Sequence, residues 1–97
     1  MVNHIVMWKF RQEVSEADRA AIASQMKEQT ESIGRRMAAV NMLNVITEPL
    51  ESSNCDILLL GTFNTEAELL AFQRDPEHQG LKDRLMPFFA SRACIDY

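Results

Sequence analysis

The two histidines are the residues of this sequence best suited to proton transfer. His4 lies near the amino terminus, and His78 follows the dipeptide Pro76-Glu77. A neutral imidazole can take a proton from a carbon atom next to a carbonyl group, and a second imidazole can hydrogen-bond the oxyanion that forms. The alternative is that His4 is a satisfied core histidine and that His78 only organises the start of a helix, because histidine is often partly buried in ordinary domains.

A metal site would need further ligands near these histidines. Two histidines and a carboxylate such as Glu77 can form a facial triad for iron, but the sequence has no His-x-His or His-x-x-x-His spacing. We therefore expect neither a metal ion nor a cofactor. The two cysteines, Cys55 and Cys94, form no Cys-x-x-Cys motif and are expected to be reduced, buried thiols.

Length and charge narrow the possible classes of protein. The chain has 97 residues, which predicts one domain over residues 1–97 with no room for a second core. Its net charge is −4 and its only adjacent basic pair is Arg35-Arg36, so a nucleic-acid partner is not expected. No apolar run approaches the ~20 residues of a membrane helix, and residues 1–10 lack the features of a signal peptide. We expect a cytoplasmic protein with no membrane partner.

The first half of the chain predicts two strands and a long helix. Residues 2–10 are rich in β-branched and aromatic residues, which favours a strand. Residues 15–36 begin with a capping-box-like sequence at Ser15 and continue as a helix. The apolar stripe of this helix comprises Ile22, Met26, Ile33 and Met37. Residues 39–47 predict a second strand with a bulge between Leu43 and Val45.

The second half predicts two strands separated by a pair of helices. The unbroken apolar run in residues 55–63 indicates a strand that is buried on both faces. A capping box at Thr65 starts a helix that ends at Asp75-Pro76. A short helix follows, with Leu81, Leu85 and Phe88 at positions i, i+4 and i+7. Residues 91–97 close the chain as a last strand.

The order β-α-β-β-α-β predicts an α+β, ferredoxin-like fold, with a four-stranded antiparallel sheet and helices on one face. The bulkier set of the first strand is assigned to the helix side, namely His4, Val6, Trp8 and Phe10. Ile5 and Met7 then lie on the other face, joined by either Ile57 and Leu59 or Leu58 and Leu60. Because large apolar patches are rarely bare on monomers, we expect a second copy of the chain to cover this face.

Several stretches resemble the stress-responsive A/B barrel (Dabb), or dimeric α/β-barrel, family. They are the opening strand at residues 4–10, the third strand and second helix at 56–72, the Pro-x-His signature at Asp75-Pro-Glu-His78, and the closing strand at 92–97. The resemblance implies that two four-stranded sheets face each other across a dimer. It does not imply one function, because the family includes stress-associated proteins and plant polyketide cyclases such as olivetolic acid cyclase. Related barrels include haem-degrading and antibiotic-type monooxygenases.

The resemblance to the cyclases implies that His4 and His78 line a pocket between the sheet and the helices, where they serve as a catalytic acid/base pair. The residues expected to line this ligand pocket are Trp8, Met26, Phe72, Leu85 and Phe88. The cyclases have a tyrosine where this chain has Phe72, and phenylalanine cannot donate a hydrogen bond. Asp96 and Tyr97 are expected to be structural.

Two functions remain open from the sequence. The first is a homodimeric Dabb-domain protein without a defined activity, which binds a small apolar or aromatic molecule between sheet and helices. The second is a polyketide-cyclase-like or monooxygenase-like enzyme that uses His4 and His78. The first predicts an apolar contact between two sheets, built around Ile5 and Met7. The second predicts a cavity that reaches both histidines.

Overall fold

The computed structural model describes all residues from Met1 to Tyr97, and its elements follow the predicted order. The strands are β1 (Val2–Phe10), β2 (Val40–Ile46), β3 (Ile57–Phe63) and β4 (Phe89–Asp96). The helices are α1 (Glu16–Arg36), α2 (Glu66–Arg74) and α3 (Pro76–Leu85), and a 3₁₀ turn covers Met86–Phe88. The strands form one antiparallel sheet in the order β2-β3-β1-β4, so the ferredoxin-like prediction is confirmed. None of the helices combines the length and hydropathy needed to cross a membrane.

The first two helices begin at the caps that the sequence predicted. Ser15 Oγ accepts a hydrogen bond from the backbone N–H of Asp18 at 3.2 Å. Thr65 Oγ1 accepts one from the backbone N–H of Glu68, also at 3.2 Å. These side chains satisfy backbone donors that have no partner within the helix. The positions of α1 and α2 along the chain follow from these local signals.

Alternation along β1 divides the sheet into two faces. The residues buried beneath the helices are His4, Val6, Trp8 and Phe10, as predicted. Met7 points the other way and is 37% exposed, and Ile5 is half-buried on the same side. The register of β3 resolves the alternative that the sequence left open, because Leu58 lies opposite Met7 and Leu60 lies opposite Ile5.

The face of the sheet without helices, here called the open face, carries apolar side chains on all four strands. One row crosses the sheet through Ile46, Leu58, Met7 and Ala93. A second row places Leu60, Ile5 and Ile95 side by side on β3, β1 and β4. The open face is therefore a continuous apolar surface rather than a set of isolated side chains.

The edge strand β2 is held by two polar side chains of α1. Lys27 Nζ donates to the carbonyl oxygen of Val45 at 2.7 Å, and Glu31 accepts from the N–H of Val45 at 2.9 Å. Although burial opposes it, the hydrogen bond from Lys27 lowers the pKa of Glu31, so this carboxylate stays ionised near neutral pH. Both outward-facing backbone groups of Val45 are thus occupied, which disfavours pairing with another chain at this edge.

Two local predictions were wrong. The irregularity in β2 lies between Val40 and Met42, where the pairing with β3 shifts, and not between Leu43 and Val45. Cys94 is exposed and Cys55 only half-buried, and both are free thiols. Cys94 is exposed because β4 is an edge strand and every residue of it beyond Phe89 is exposed.

Candidate functional site

A cavity between the sheet and the helices brings the two histidines together. Its wall includes His4 and Trp8 from β1, Met26 and Thr30 from α1, and His78 and Leu85 from α3. The cavity encloses about 30 Å³, which is space for about one or two water molecules. The sequence separates the two histidines by most of the chain, so only the packing of α3 against β1 makes them neighbours.

Three of the five residues predicted to line the pocket do so, namely Trp8, Met26 and Leu85, whereas Phe72 and Phe88 lie outside the wall. Phe88 is 40% exposed. Pro87 ends the α-helical geometry after α3, and the chain continues as a 3₁₀ turn. The side chain of Phe88, seven residues after Leu81, therefore no longer points inward. Phe89 takes the buried position instead, with its ring stacked on that of Phe10 at 4.8 Å between centroids.

Phe72 lies behind the histidine rather than in the cavity. Its side chain is fully buried, and its ring centroid is 5.6 Å from that of Phe63. On the other side, the ring of His78 lies at 4.3 Å between centroids. Phe72 therefore supports one side of the His78 ring and contributes no surface to a ligand.

His4 is held by a carboxylate for which the sequence predicted only a structural role. Asp96 lies opposite His4 in the pairing of β1 with β4, and its Oδ1 is hydrogen-bonded to Nδ1 of His4. Because an ionised carboxylate only accepts, Nδ1 donates in this hydrogen bond, and in the neutral ring Nε2 is then the nitrogen with the lone pair. His4 is 3% exposed and lines the cavity, so Nε2 is the atom that can act as a base there.

His78 is positioned at the start of α3 and is kept neutral. Asp75 caps this helix by accepting from the backbone N–H of His78 at 3.2 Å, and Arg36 donates to the same carboxylate at 2.8 Å. Burial, followed by the positive charge of Lys82, lowers the pKa of His78 to about 4. Near neutral pH its ring is therefore uncharged, and it can donate one hydrogen bond and accept another.

Two buried nitrogens of the cavity wall hydrogen-bond no protein atom. They are Nε1 of Trp8 and Nδ1 of His78. Trp8 is only 5% exposed, and its indole N–H can only donate. Since buried polar groups are normally paired, these two nitrogens lack a hydrogen bond that their burial would lead one to expect. The cavity thus places a fixed N–H donor and a neutral imidazole near the free nitrogen of His4.

His4, Cys94 and Asp96 bring three atoms of metal-ligand type within 4.8 Å of one another. This is not the triad considered from the sequence, because Glu77 pairs with Arg36 at 3.2 Å. Burial, and then the negative charge of Asp96, raise the pKa of the Cys94 thiol. A protonated thiol is a weak nucleophile and a weak metal ligand. The group is best described as a hydrogen-bonded histidine–carboxylate pair with a neutral thiol beside it.

Acidification should destabilise the fold through His78. The pKa of an unfolded histidine is near 6.5, and the folded value is about 4. Between these values the unfolded state binds more protons, so the free energy of unfolding falls as the pH falls. We expect His78 to contribute a loss on the order of 1–2 kcal/mol between pH 7 and pH 4, after allowing for its partial exposure.

Denaturant unfolding of the wild type and of His78→Gln at several pH values measures this contribution. The glutamine has no titrating ring, so the variant should lose stability less steeply between pH 6.5 and pH 4. Glu31 and Asp75 have lowered pKa values and add a loss of the same sign in the acid range, but both proteins contain them. Identical slopes in the two proteins would contradict the assignment of a neutral, buried His78.

Solved structures of other proteins have the same fold. A dimeric protein of unknown function and ferredoxin-like fold from Bacteroides fragilis NCTC 9343 superposes with a TM-score of 0.92 at 25% identity, covering 99% of this chain and 93% of that one. The hydroxynitrile lyase from Passiflora edulis superposes with a TM-score of 0.77 at 15% identity, covering 99% and 90%. An antibiotic biosynthesis monooxygenase superposes with a TM-score of 0.80 at 8% identity, covering 100% and 96%.

Comparison at the level of sequence gives two results. A search among curated proteins finds no match to the chain. Residues 2–97 match the model of a family described as Stress responsive A/B Barrel Domain. The match extends over all of the sheet and all of the helices, including both histidines and Asp96.

Proposed function

This chain belongs to the stress responsive A/B barrel (Dabb) domain family, as its resemblance to that family predicted, and we propose that it is a homodimer whose cavity catalyses proton transfer on a small carbonyl compound. The observation that carries the proposal is the hydrogen bond between Nδ1 of His4 and Asp96. It leaves Nε2 of a buried histidine as a base beside a cavity that is also lined by Trp8, whose buried N–H has no partner.

The proposed step moves one proton and changes no oxidation state. Nε2 of His4 takes a proton from the carbon atom next to the carbonyl group, and the C–H electron pair forms the enolate. The developing oxyanion accepts a hydrogen bond from Nε1 of Trp8, and the neutral ring of His78 orients the substrate. Asp96 stabilises the imidazolium that forms on His4. A positioned base of this kind contributes about 10²–10⁴-fold in rate, and a fixed oxyanion donor adds to it.

The geometry favours this function over passive binding of an apolar or aromatic molecule. The inner volume of about 30 Å³ does not hold an aromatic ring, and apolar ligands do not need the unpartnered nitrogens of Trp8 and His78. Proteins of this fold include one named as a hydroxynitrile lyase and one named as a monooxygenase, which supports a catalytic role. Phe72 supplies no hydroxyl group, so the proposal does not extend to a cyclase mechanism that requires a tyrosine there.

The homodimer is proposed to form through the open face. Ile5, Met7, Leu58 and Leu60 form its centre on the two middle strands. The related protein from Bacteroides fragilis is described as dimeric, which supports the same association here. Stacking two such faces buries apolar side chains that a monomer leaves partly in contact with water, and this burial is the driving force for association.

We also propose that the protein is cytoplasmic. Both of its cysteines, Cys55 and Cys94, are free, and free thiols persist most readily in a reducing compartment. Fractionation of cells that express the tagged protein checks this proposal, and recovery in a secreted fraction would argue against it.

Proton NMR in D₂O tests the catalytic proposal with two probes, pyruvate and methyl pyruvate. It measures how fast the protons of the methyl group next to the ketone exchange for deuterium. We expect the wild type to accelerate exchange of at least one of these probes. His4→Gln should reduce the acceleration by about 100-fold, and Asp96→Asn by about 10-fold because it no longer holds the required tautomer. Circular dichroism establishes that the variants are folded. Wild-type exchange at the rate of buffer alone, or full activity in His4→Gln, would rule out the proposed function.

A further inference from the structure

We infer that the cavity selects a small carbonyl compound that carries a carboxylate, and that Lys82 and Arg92 bind this carboxylate at the opening. The inference rests on the proposed proton-transfer function of the same cavity and adds the class of substrate.

The charge at the cavity is opposite in sign to that of the protein. The chain has 14 acidic and 10 basic residues and a net charge of −4. The cavity wall nevertheless contains Lys82 and Arg92 and no aspartate or glutamate. A positive opening in an acidic protein attracts anions and disfavours neutral or cationic molecules of the same shape.

Neither cation forms an ion pair with a carboxylate of the protein. The ion pairs of the protein join His4 to Asp96, Lys27 to Glu31, and Arg36 to Asp75 and Glu77. Lys82 and Arg92 take part in none of them. Arg92 contacts the neutral thiol of Cys94 but no carboxylate. Its guanidinium presents a fork of donors that matches the two oxygens of a carboxylate.

The fold places the two cations on opposite sides of the opening. Lys82 lies one helical turn after His78 on α3, so both side chains share one face of that helix. Arg92 lies opposite Trp8 in the pairing of β1 with β4, so it shares the helix side of the sheet with Trp8. Arg92 is exposed and Lys82 half-buried, whereas Trp8 and His4 are buried. The positive charges are therefore at the mouth, and the base and the N–H donor are deeper.

This arrangement fixes the orientation of a ligand. The carboxylate pairs with Lys82 and Arg92 at the mouth, and the carbonyl oxygen faces Nε1 of Trp8, which has no other acceptor. The carbon acid then lies on the side of His4. Because the enclosed volume is only about 30 Å³, the inner part of the ligand must be small, while the anionic end remains at the opening.

Binding of pyruvate and of its neutral ester, methyl pyruvate, tests the inference. Both probes share the ketone and the methyl group and differ in the carboxylate charge. NMR chemical-shift titration of the isotope-labelled protein should give at least about tenfold tighter binding of pyruvate, the effect expected for one charge-assisted hydrogen bond. Arg92→Gln and Lys82→Gln should each weaken pyruvate binding by about tenfold and leave binding of the ester unchanged.

Arg84→Gln is the matched control. Arg84 lies on α3 and donates to Oε1 of Gln29 at 2.7 Å, outside the cavity wall. The substitution removes the same charge as the test variants but should leave both affinities unchanged. An equal loss of pyruvate binding in this control would show a general charge effect and overturn the inference.

Other outcomes separate the inference from the function on which it rests. Equal affinities for the two probes, or binding of neither, overturn the inference. If equal affinities accompany proton exchange that depends on His4, the proposed function stands and only the substrate class is wrong. If carboxylate-selective binding depends on Arg92 and Lys82 but exchange does not depend on His4, the anion site stands and the catalytic proposal fails.

Discussion

Leu58→Glu should convert the protein from a dimer to a monomer. Leu58 lies at the centre of the open face, opposite Met7 on β1 and Ile46 on β2. In the proposed dimer each interface would contain two added carboxylates without partners, and burial of an unpaired charge costs several kcal/mol. If each carboxylate costs about 2 kcal/mol, the dissociation constant rises by about a thousandfold. Sedimentation equilibrium at micromolar concentration measures the change.

Leu70→Glu is the control for this prediction. Leu70 is 42% exposed on α2, on the helix side of the sheet. The same substitution there should leave the dimer intact, because the new carboxylate stays in water. A wild type that is monomeric at micromolar concentration would contradict the dimer, and a dimeric Leu58→Glu would place the interface elsewhere.

Phe72→Ala should destabilise the fold by about 3–5 kcal/mol, the range for removal of a buried aromatic ring. Phe72 has no exposed surface, and its ring packs between Phe63 and His78. The cavity left by the ring also admits water to one side of His78. Because burial is the largest cause of its low pKa, the pKa of His78 should rise from about 4 towards its ordinary value.

Phe88→Ala is the matched variant, since it removes the same atoms from a side chain that is 40% exposed. We expect it to cost less than about 1 kcal/mol. Denaturant unfolding compares the two variants, and an NMR titration of the His78 ring measures the pKa. If Phe72→Ala is too unstable to titrate, Phe72→Leu keeps part of the packing and should show a smaller shift in the same direction. Equal stability losses at the two positions would contradict the burial of Phe72 and the exposure of Phe88.

Local sequence patterns were sufficient to predict the elements and the division of the sheet into two faces. Caps at Ser15 and Thr65 act within one helical turn, and alternation in β1 acts between neighbouring residues. Helical periodicity gave a wrong prediction where the α-helix gives way to another backbone geometry. At Pro87 the helical spacing ends, so Phe88 turns outward and Phe89 turns inward.

The choice between the two apolar sets of β3 required the tertiary structure. Leu58 and Leu60 are chemically equivalent to Ile57 and Leu59 as strand residues, so no local pattern distinguishes them. Pairing with β1 distinguishes them, because side chains opposite Met7 and Ile5 must share their face.

The histidines of the site were visible as residue types, and the family resemblance suggested that they share a pocket. Their chemical states follow from contacts over long stretches of chain. Asp96 meets His4 across 92 residues of sequence, and burial sets the charge of His78. Alternation along β1 and the two caps are properties of adjacent residues, so the sequence carries them directly. Strand register and helix packing are properties of the folded whole, and they alone bring Asp96 to His4 and bring Lys82 and Arg92 to the cavity.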